Sequence, residues 1–145
     1  MTLRRTQQES GWVNPNHLPK GPNGRNLCRR CGKEVPPDRR TFCSDTCVHQ
    51  WRLRTQPRYV RQCVWARDHG VCAVCRLDTQ AGRPYRGIAR MGSTGHLWQA
   101  DHIVAVVEGG GECGLDGYRT LCTVCHRRET AALAARRAAA RKECR

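Results

Sequence analysis

The sequence predicts a small α+β protein stabilised by zinc, with a four-cysteine zinc module followed by a strand–strand–helix domain. Three observations predict it. Eleven of 145 residues are cysteine, and eight of these fall in CxxC or CxxxC pairs. Aromatic residues are only 6% with a single Phe, so a large apolar core is not expected, and small domains without one lean on metal or disulfides. The apolar runs of the second half read as strand, strand and helix in order. Metal is favoured over disulfides because the cysteines are paired at ligand spacing, the total is odd and no secretory leader is visible.

Residues 1–26 read as a flexible tail, since Pro15, Pro19, Gly21, Pro22 and Gly24 recur without apolar periodicity. Residues 27–56 form the first zinc module. Cys28 and Cys31 make a knuckle, and Cys43 and Cys47 carry the spacing of two ligands on a first helical turn. Ser44 and Asp45 suit the cap of that helix, expected to run to about Arg54. Residues 57–145 form the second domain. Tyr59, Val60, Cys63 and Val64 pattern a short amphipathic helix that Gly70 stops. Cys72 and Cys75 form the second knuckle. Residues 76–95 read as a Gly- and Arg-rich loop with the chemistry to touch DNA. A strand is expected over Leu97–His102, then a glycine-rich connection over Glu108–Gly117, a returning strand over Tyr118–Leu121, and a helix from about Thr123. That helix, rich in Ala and Arg, can be long. Cys122 and Cys125 sit where strand becomes helix and complete a quartet with Cys72 and Cys75. Cys63, Cys113 and Cys144 are spare thiols.

The formal charge is +14. Eight zinc-bound thiolates and two zinc ions would still leave about +10. A polyanion, with nucleic acid the usual one, is the expected partner, and GC-rich coding bias toward Arg and Ala is the alternative reading of the charge. Arg127, Arg128, Arg136 and Arg137 on the last helix are the candidate phosphate contacts. No segment reads as membrane-spanning, and the chain is expected to be intracellular. Oligomeric state is not legible.

The chemistry gathers at Asp101, His102 and His126. Two imidazoles and a carboxylate can bind a divalent ion and supply a base, which hydrolysis of a phosphodiester requires. Singly, each has a plainer reading: a strand histidine, a capping carboxylate, a packing residue beside zinc. The pattern of all three, pinned by one four-cysteine site, favours a shared cleft.

The stretches TFCSDTCVHQWRLR, GVCAVC, GHLWQADH and GGGECGLDGYRTLCTVCHRRET resemble the HNH nuclease family, with its ββα-metal, treble-clef-like fold. The likeness spans roughly Leu27 to Arg137. It is nearest to the HNH domain of vertebrate annealing helicases with a Ran-binding-type zinc finger, and to free-standing bacterial HNH endonucleases. The resemblance implies His102 as general base, Asp101 and His126 as ligands of a catalytic Mg²⁺ or Mn²⁺, and the CxxC cysteines as ligands of structural zinc. It implies cleavage of duplex or branched DNA to 5′-phosphate and 3′-hydroxyl ends. The family asparagine between the strands is replaced by Gly117, with Asp116 beside it as a candidate substitute, and the proline after the Asp-His pair is absent. Two alternatives follow: a decayed HNH protein that binds DNA without cutting, and an adaptor whose zinc modules dock proteins.

Overall fold

A computed structural model describes residues 13–81 and 97–143. The chain divides into two compact units, up to Pro57 and from Arg58 onward.

The first unit is built around four cysteines. Cys28 N–H donates to Lys33 O (2.7 Å) and Gly32 N–H to Cys28 O (2.9 Å), so the chain turns tightly between Cys28 and Lys33. Gly32 has a φ of 73°, which a residue with a side chain adopts only at a cost. Helix α1, Asp45–Thr55, starts where expected. The Ser44 hydroxyl accepts from Cys47 N–H at 3.2 Å, satisfying one orphan amide of the first turn. Val35, Cys28 and Cys47 are buried together, with Phe42 against them. Phe42 and Trp51 meet edge-on at 5.3 Å, and Arg29 lies 4.5 Å over the Trp51 ring.

The segment 13–26 differs from a tail. A 3-10 turn covers Pro15–His17, Lys20 bridges Asn26, and Leu27 N–H donates to Pro19 O at 2.8 Å. Asn26 is buried, and its side-chain amide donates to Arg40 O at 2.6 Å. Backbone pairing, which needs no apolar periodicity, ties this segment into the module. Residues 1–12, with Trp12, lie outside the described residues.

The second unit holds helix α2, Pro57–Asp68, then strands β1, Trp98–His102, and β2, Tyr118–Cys122, and helix α3, Thr123–Glu143. The strands pair antiparallel, with Asp101 opposite Arg119 and His102 opposite Tyr118. Three short 3-10 turns fill the connection between them: Val106–Glu108, Gly110–Glu112 and Leu115–Gly117. Gly70, with φ 79°, ends the turn after α2 as the sequence suggests. Val60 and Val64 are buried, four residues apart on one face of α2.

Polar side chains of α2 fasten the sheet. Arg61 lies 4.6 Å over the Trp98 ring and donates to Gln99 Oε1 (3.0 Å). Arg67 donates to the carbonyls of Leu115 (2.9 Å) and Tyr118 (2.8 Å), clamping the connection just before β2. Asp68 accepts from the hydroxyl of buried Thr120 at 2.8 Å. Cys72, Leu121, Cys122 and Cys125 form one buried cluster. Most of the loop expected over 76–95 lies outside the described residues, as do His96 and Cys144. Among the described residues, no helix is long and apolar enough to cross a membrane.

Candidate functional site

Two cysteine quartets stand out first. Cys28, Cys31, Cys43 and Cys47 bring their sulfurs within 4.8 Å of one another, as do Cys72, Cys75, Cys122 and Cys125. Individual edges are 3.5 Å (Cys31–Cys43), 3.4 Å (Cys43–Cys47) and 3.7 Å (Cys75–Cys122). A tetrahedral ZnS₄ centre has sulfur–sulfur edges of about 3.8 Å, so both quartets could hold a structural ion such as zinc. The electrostatics agree. Burial disfavours the Cys72 thiolate, yet backbone amides of Cys75, Cys122 and Val74 outweigh it and bring the thiol down to about 6. Cys125 is pushed up to about 12 by burial and by its thiol neighbours. A divalent cation reconciles such a set by stabilising all four thiolates.

The second quartet fixes the neighbouring site. Cys122 is the last residue of β2, and its sulfur accepts from Cys125 N–H at 3.4 Å, so strand end and helix start share one anchor. Ala73 N–H donates to Thr120 O at 2.8 Å, tying the knuckle to β2. His126, one residue beyond the anchor, therefore projects at a fixed angle beside the end of β1.

That geometry brings all three expected residues together. Asp101, His102 and His126 line one hollow of about 250 Å³. Its α3 wall is His126, Glu129, Thr130, Leu133 and Arg136, residues that the helical period places on one face. His126 Nε2 stands 3.9 Å from Asp101 Oδ1, too far for a hydrogen bond but close enough for a shared cation. The other Asp101 oxygen is held by Arg119, with Nε at 3.2 Å and a terminal nitrogen at 3.1 Å. The donor set of one carboxylate oxygen and one imidazole nitrogen fits a hard divalent ion that keeps most of its shell for water or substrate.

His102 is half-buried, and its ring packs on Tyr118 with centroids 4.3 Å apart and planes tilted by 44°. Burial lowers its pKa below the usual histidine value, against the pull of Asp101. The imidazole is thus neutral and able to accept a proton near neutral pH.

Among the lining residues not singled out from sequence are Arg119, Glu129, Glu108 and Ile103. Arg119 links Asp101 to Glu129 Oε2 at 3.1 Å. Spacing of three residues from His126 signals Glu129; Arg119 becomes visible only once the strand register is known. Of the arginines expected to touch phosphate, all four are exposed, but only Arg136 lines the hollow, and it is paired with Glu108 at 3.3 Å. Arg127, Arg128 and Arg137 lie outside that lining.

Asp116 is exposed, absent from the hollow, and its charge acts on Arg67. Gly117 is closely packed: a Cβ there would overlap the Cys113 side chain. The connection is held by Arg67 and by Ile103 N–H donating to Gly117 O at 2.8 Å.

The chain is homologous to one segment of a much longer protein. It is 34% identical over 154 residues to the DNA annealing helicase and endonuclease ZRANB3 of Mus musculus, covering 82% of this chain and 14% of that one. The Homo sapiens protein of the same name is 31% identical over 155 residues, covering 83% and 14%. The chain thus spans about one seventh of the length of these relatives. No family model and no solved structure matches it.

Proposed function

We propose, taking that homology as the starting point, that the chain is an HNH-type, metal-dependent DNA endonuclease of the ββα-metal fold. Its relatives carry both helicase and endonuclease in their name, and the part matched here has the build of a hydrolytic site. The observation that carries the reading is the convergence of Asp101, His102 and His126 on one hollow anchored by the second cysteine quartet.

In this reading the two quartets hold structural zinc, and Asp101 with His126 holds one Mg²⁺ or Mn²⁺. That ion, when bound, neutralises charge on the scissile phosphate and its leaving oxygen. The chain's own residues do the rest. Neutral His102 takes a proton from a water in the hollow it lines, and the water oxygen attacks phosphorus in line. The bond from phosphorus to the 3′ oxygen breaks and that oxygen takes a proton from solvent, giving 5′-phosphate and 3′-hydroxyl ends. Arg119 holds the Asp101 carboxylate in place through its bridge to Glu129. The exposed arginines of α3 and the net charge of +14 draw the polyanion to the site. One such site cuts one strand, so a single copy nicks duplex DNA.

The test is relaxation of supercoiled plasmid by the zinc-loaded chain with Mg²⁺ or Mn²⁺, wild type against His102→Ala. Nicking by wild type and loss of it in the variant is the expected result. A chain that binds DNA yet leaves duplex, nicked and branched substrates intact with either ion is a non-cutting DNA-binding protein instead. A chain that does not bind DNA is an adaptor.

A further inference from the structure

We propose that Arg76 binds a backbone phosphate of the DNA, one flanking the phosphate that is cut, in a basic pocket beside the second cysteine quartet. The proposal rests on the reading of the chain as a DNA endonuclease, and two separate observations carry it. The first is the backbone. In each unit a knuckle closes on the residue after its second cysteine: Gly32 N–H donates to Cys28 O at 2.9 Å, and Arg76 N–H donates to Cys72 O at 3.0 Å. Both residues lie in the left-handed region, with φ of 73° and 62°. Glycine adopts that conformation freely, whereas a residue with a side chain is strained in it. The first knuckle makes the turn with glycine. The second makes the same turn with an arginine, and so carries a cation that the turn itself does not need.

The second observation is where that side chain stands. Arg67, Asp68, Val71, Ala73, Arg76 and Arg119 line a pocket of about 360 Å³. The carboxylate in that lining is already engaged. Asp68 accepts from Arg67 Nε at 2.6 Å, from an Arg67 terminal nitrogen at 2.8 Å and from Thr120 at 2.8 Å. Arg67 is held by this pair and by the Leu115 and Tyr118 carbonyls, and Arg119 by Asp101 and Glu129. Arg76 is exposed, and among the described residues nothing engages its guanidinium. The pocket thus offers one uncompensated planar cation, whose fork of donors suits the two free oxygens of a phosphodiester. Its place is fixed, because Ala73 N–H donates to Thr120 O at 2.8 Å and ties the knuckle to β2. Arg119 lines both this pocket and the hollow of Asp101, His102 and His126, so the two are neighbours. A duplex seated on the hollow brings a flanking phosphate to Arg76.

The experiment uses the full zinc-loaded chain with His102→Ala, so that binding is read without cutting, alone and combined with Arg76→Gly or Arg76→Ala. Zinc content and thermal unfolding are measured for each. The probes are a short duplex and a set of the same duplexes in which one phosphate at a time is replaced by a neutral methylphosphonate. Arg76→Gly and Arg76→Ala should each weaken binding about fivefold, the upper worth of one exposed ion pair, and lower the salt slope by about one. Arg76→Gly should keep its zinc and unfold at no lower temperature, because glycine relieves the left-handed strain. One methylphosphonate position should weaken the chain that retains Arg76 and leave both Arg76 variants unaffected, since the two changes remove the same contact. In the cutting chain, Arg76→Gly should raise KM with kcat unchanged. Undiminished affinity of Arg76→Gly or Arg76→Ala overturns the proposal and leaves the nuclease reading standing. So does a loss of affinity accompanied by loss of zinc or of thermal stability in Arg76→Gly, or methylphosphonates that weaken the Arg76 variants as much as their parent. The expected losses in a chain that cuts no DNA would overturn the nuclease reading and keep the phosphate site. A chain that binds no duplex overturns both.

Discussion

At the scale of single residues, His102 carries the sharpest expectation. His102→Ala should cost about 10²–10⁴-fold in nicking rate, the usual worth of a general base. DNA affinity and zinc content should stay at wild-type levels, since the base acts in the transition state rather than in binding. Plasmid nicking beside a gel-shift titration separates the two. Gly117 gives a second expectation. From sequence, restoring asparagine there raises the rate if Gly117 merely loosens the loop, and is neutral or harmful if another group already braces it. In the folded loop the added Cβ meets Cys113, so Gly117→Asn should destabilise by about 1–3 kcal/mol, as overpacking does, and should slow cutting. Thermal unfolding and nicking rates check both; a faster, equally stable enzyme would mean that the connection repacks around the new side chain.

At the scale of elements, α2 emerges as the brace of the site. Its Asp68 accepts from Thr120, whose side chain is fully buried in β2. Asp68→Ala leaves that hydroxyl without its partner and should cost about 1–3 kcal/mol of stability. The pH sense follows from the direction of the shift. The Arg67 guanidinium first, and then Thr120, holds the Asp68 carboxyl below its ordinary 3.8. Its contribution is therefore complete above the unfolded value and is lost only as pH falls through the lower folded one. The deficit of Asp68→Ala relative to wild type should be flat from about pH 5 to 8, measured by denaturant unfolding. A deficit that shrinks within that window would point to a different partner for the carboxylate. Much of this element was legible beforehand: Val60 and Val64 mark its buried face, and Gly70 its stop. Its role as a brace was not, because Arg61, Arg67 and Asp68 act on residues some forty to fifty positions away.

For the whole molecule, stability and partner choice both trace back to composition. With aromatics at only 6%, the units are expected to lean on their cysteine quartets. Elemental analysis should find about two zinc per chain, and a strong chelator should unfold both units with loss of DNA binding. A zinc-free chain that stays folded would contradict this. Binding to duplex DNA should weaken steeply between low and physiological salt, because phosphate contacts release counterions. Replacing exposed Arg127, Arg128 and Arg137 together should flatten that dependence while sparing the hollow they do not line.

The sequence alone determined the two cysteine quartets and the order of elements. Cysteine spacing, the Ser44 cap, the alanine-rich helix and the Asp-His pair are local signals, written within a few residues of where they act. Tertiary structure decided everything that depends on register and on closure of the chain over long distances. Only pairing of β1 with β2 sets Arg119 on Asp101 and Tyr118 on His102. Only the folded connection shows that Gly117 is filled by Cys113 rather than empty, and that Asp116 lies outside the hollow. Residues 13–26 belong to the same class, since their order comes from backbone hydrogen bonds that no side-chain pattern records. The physical reason is common to all three. Spacing fixes which atoms a local turn can bring together, whereas the partner of a side chain across a sheet is chosen by register, which is a property of the whole packed unit.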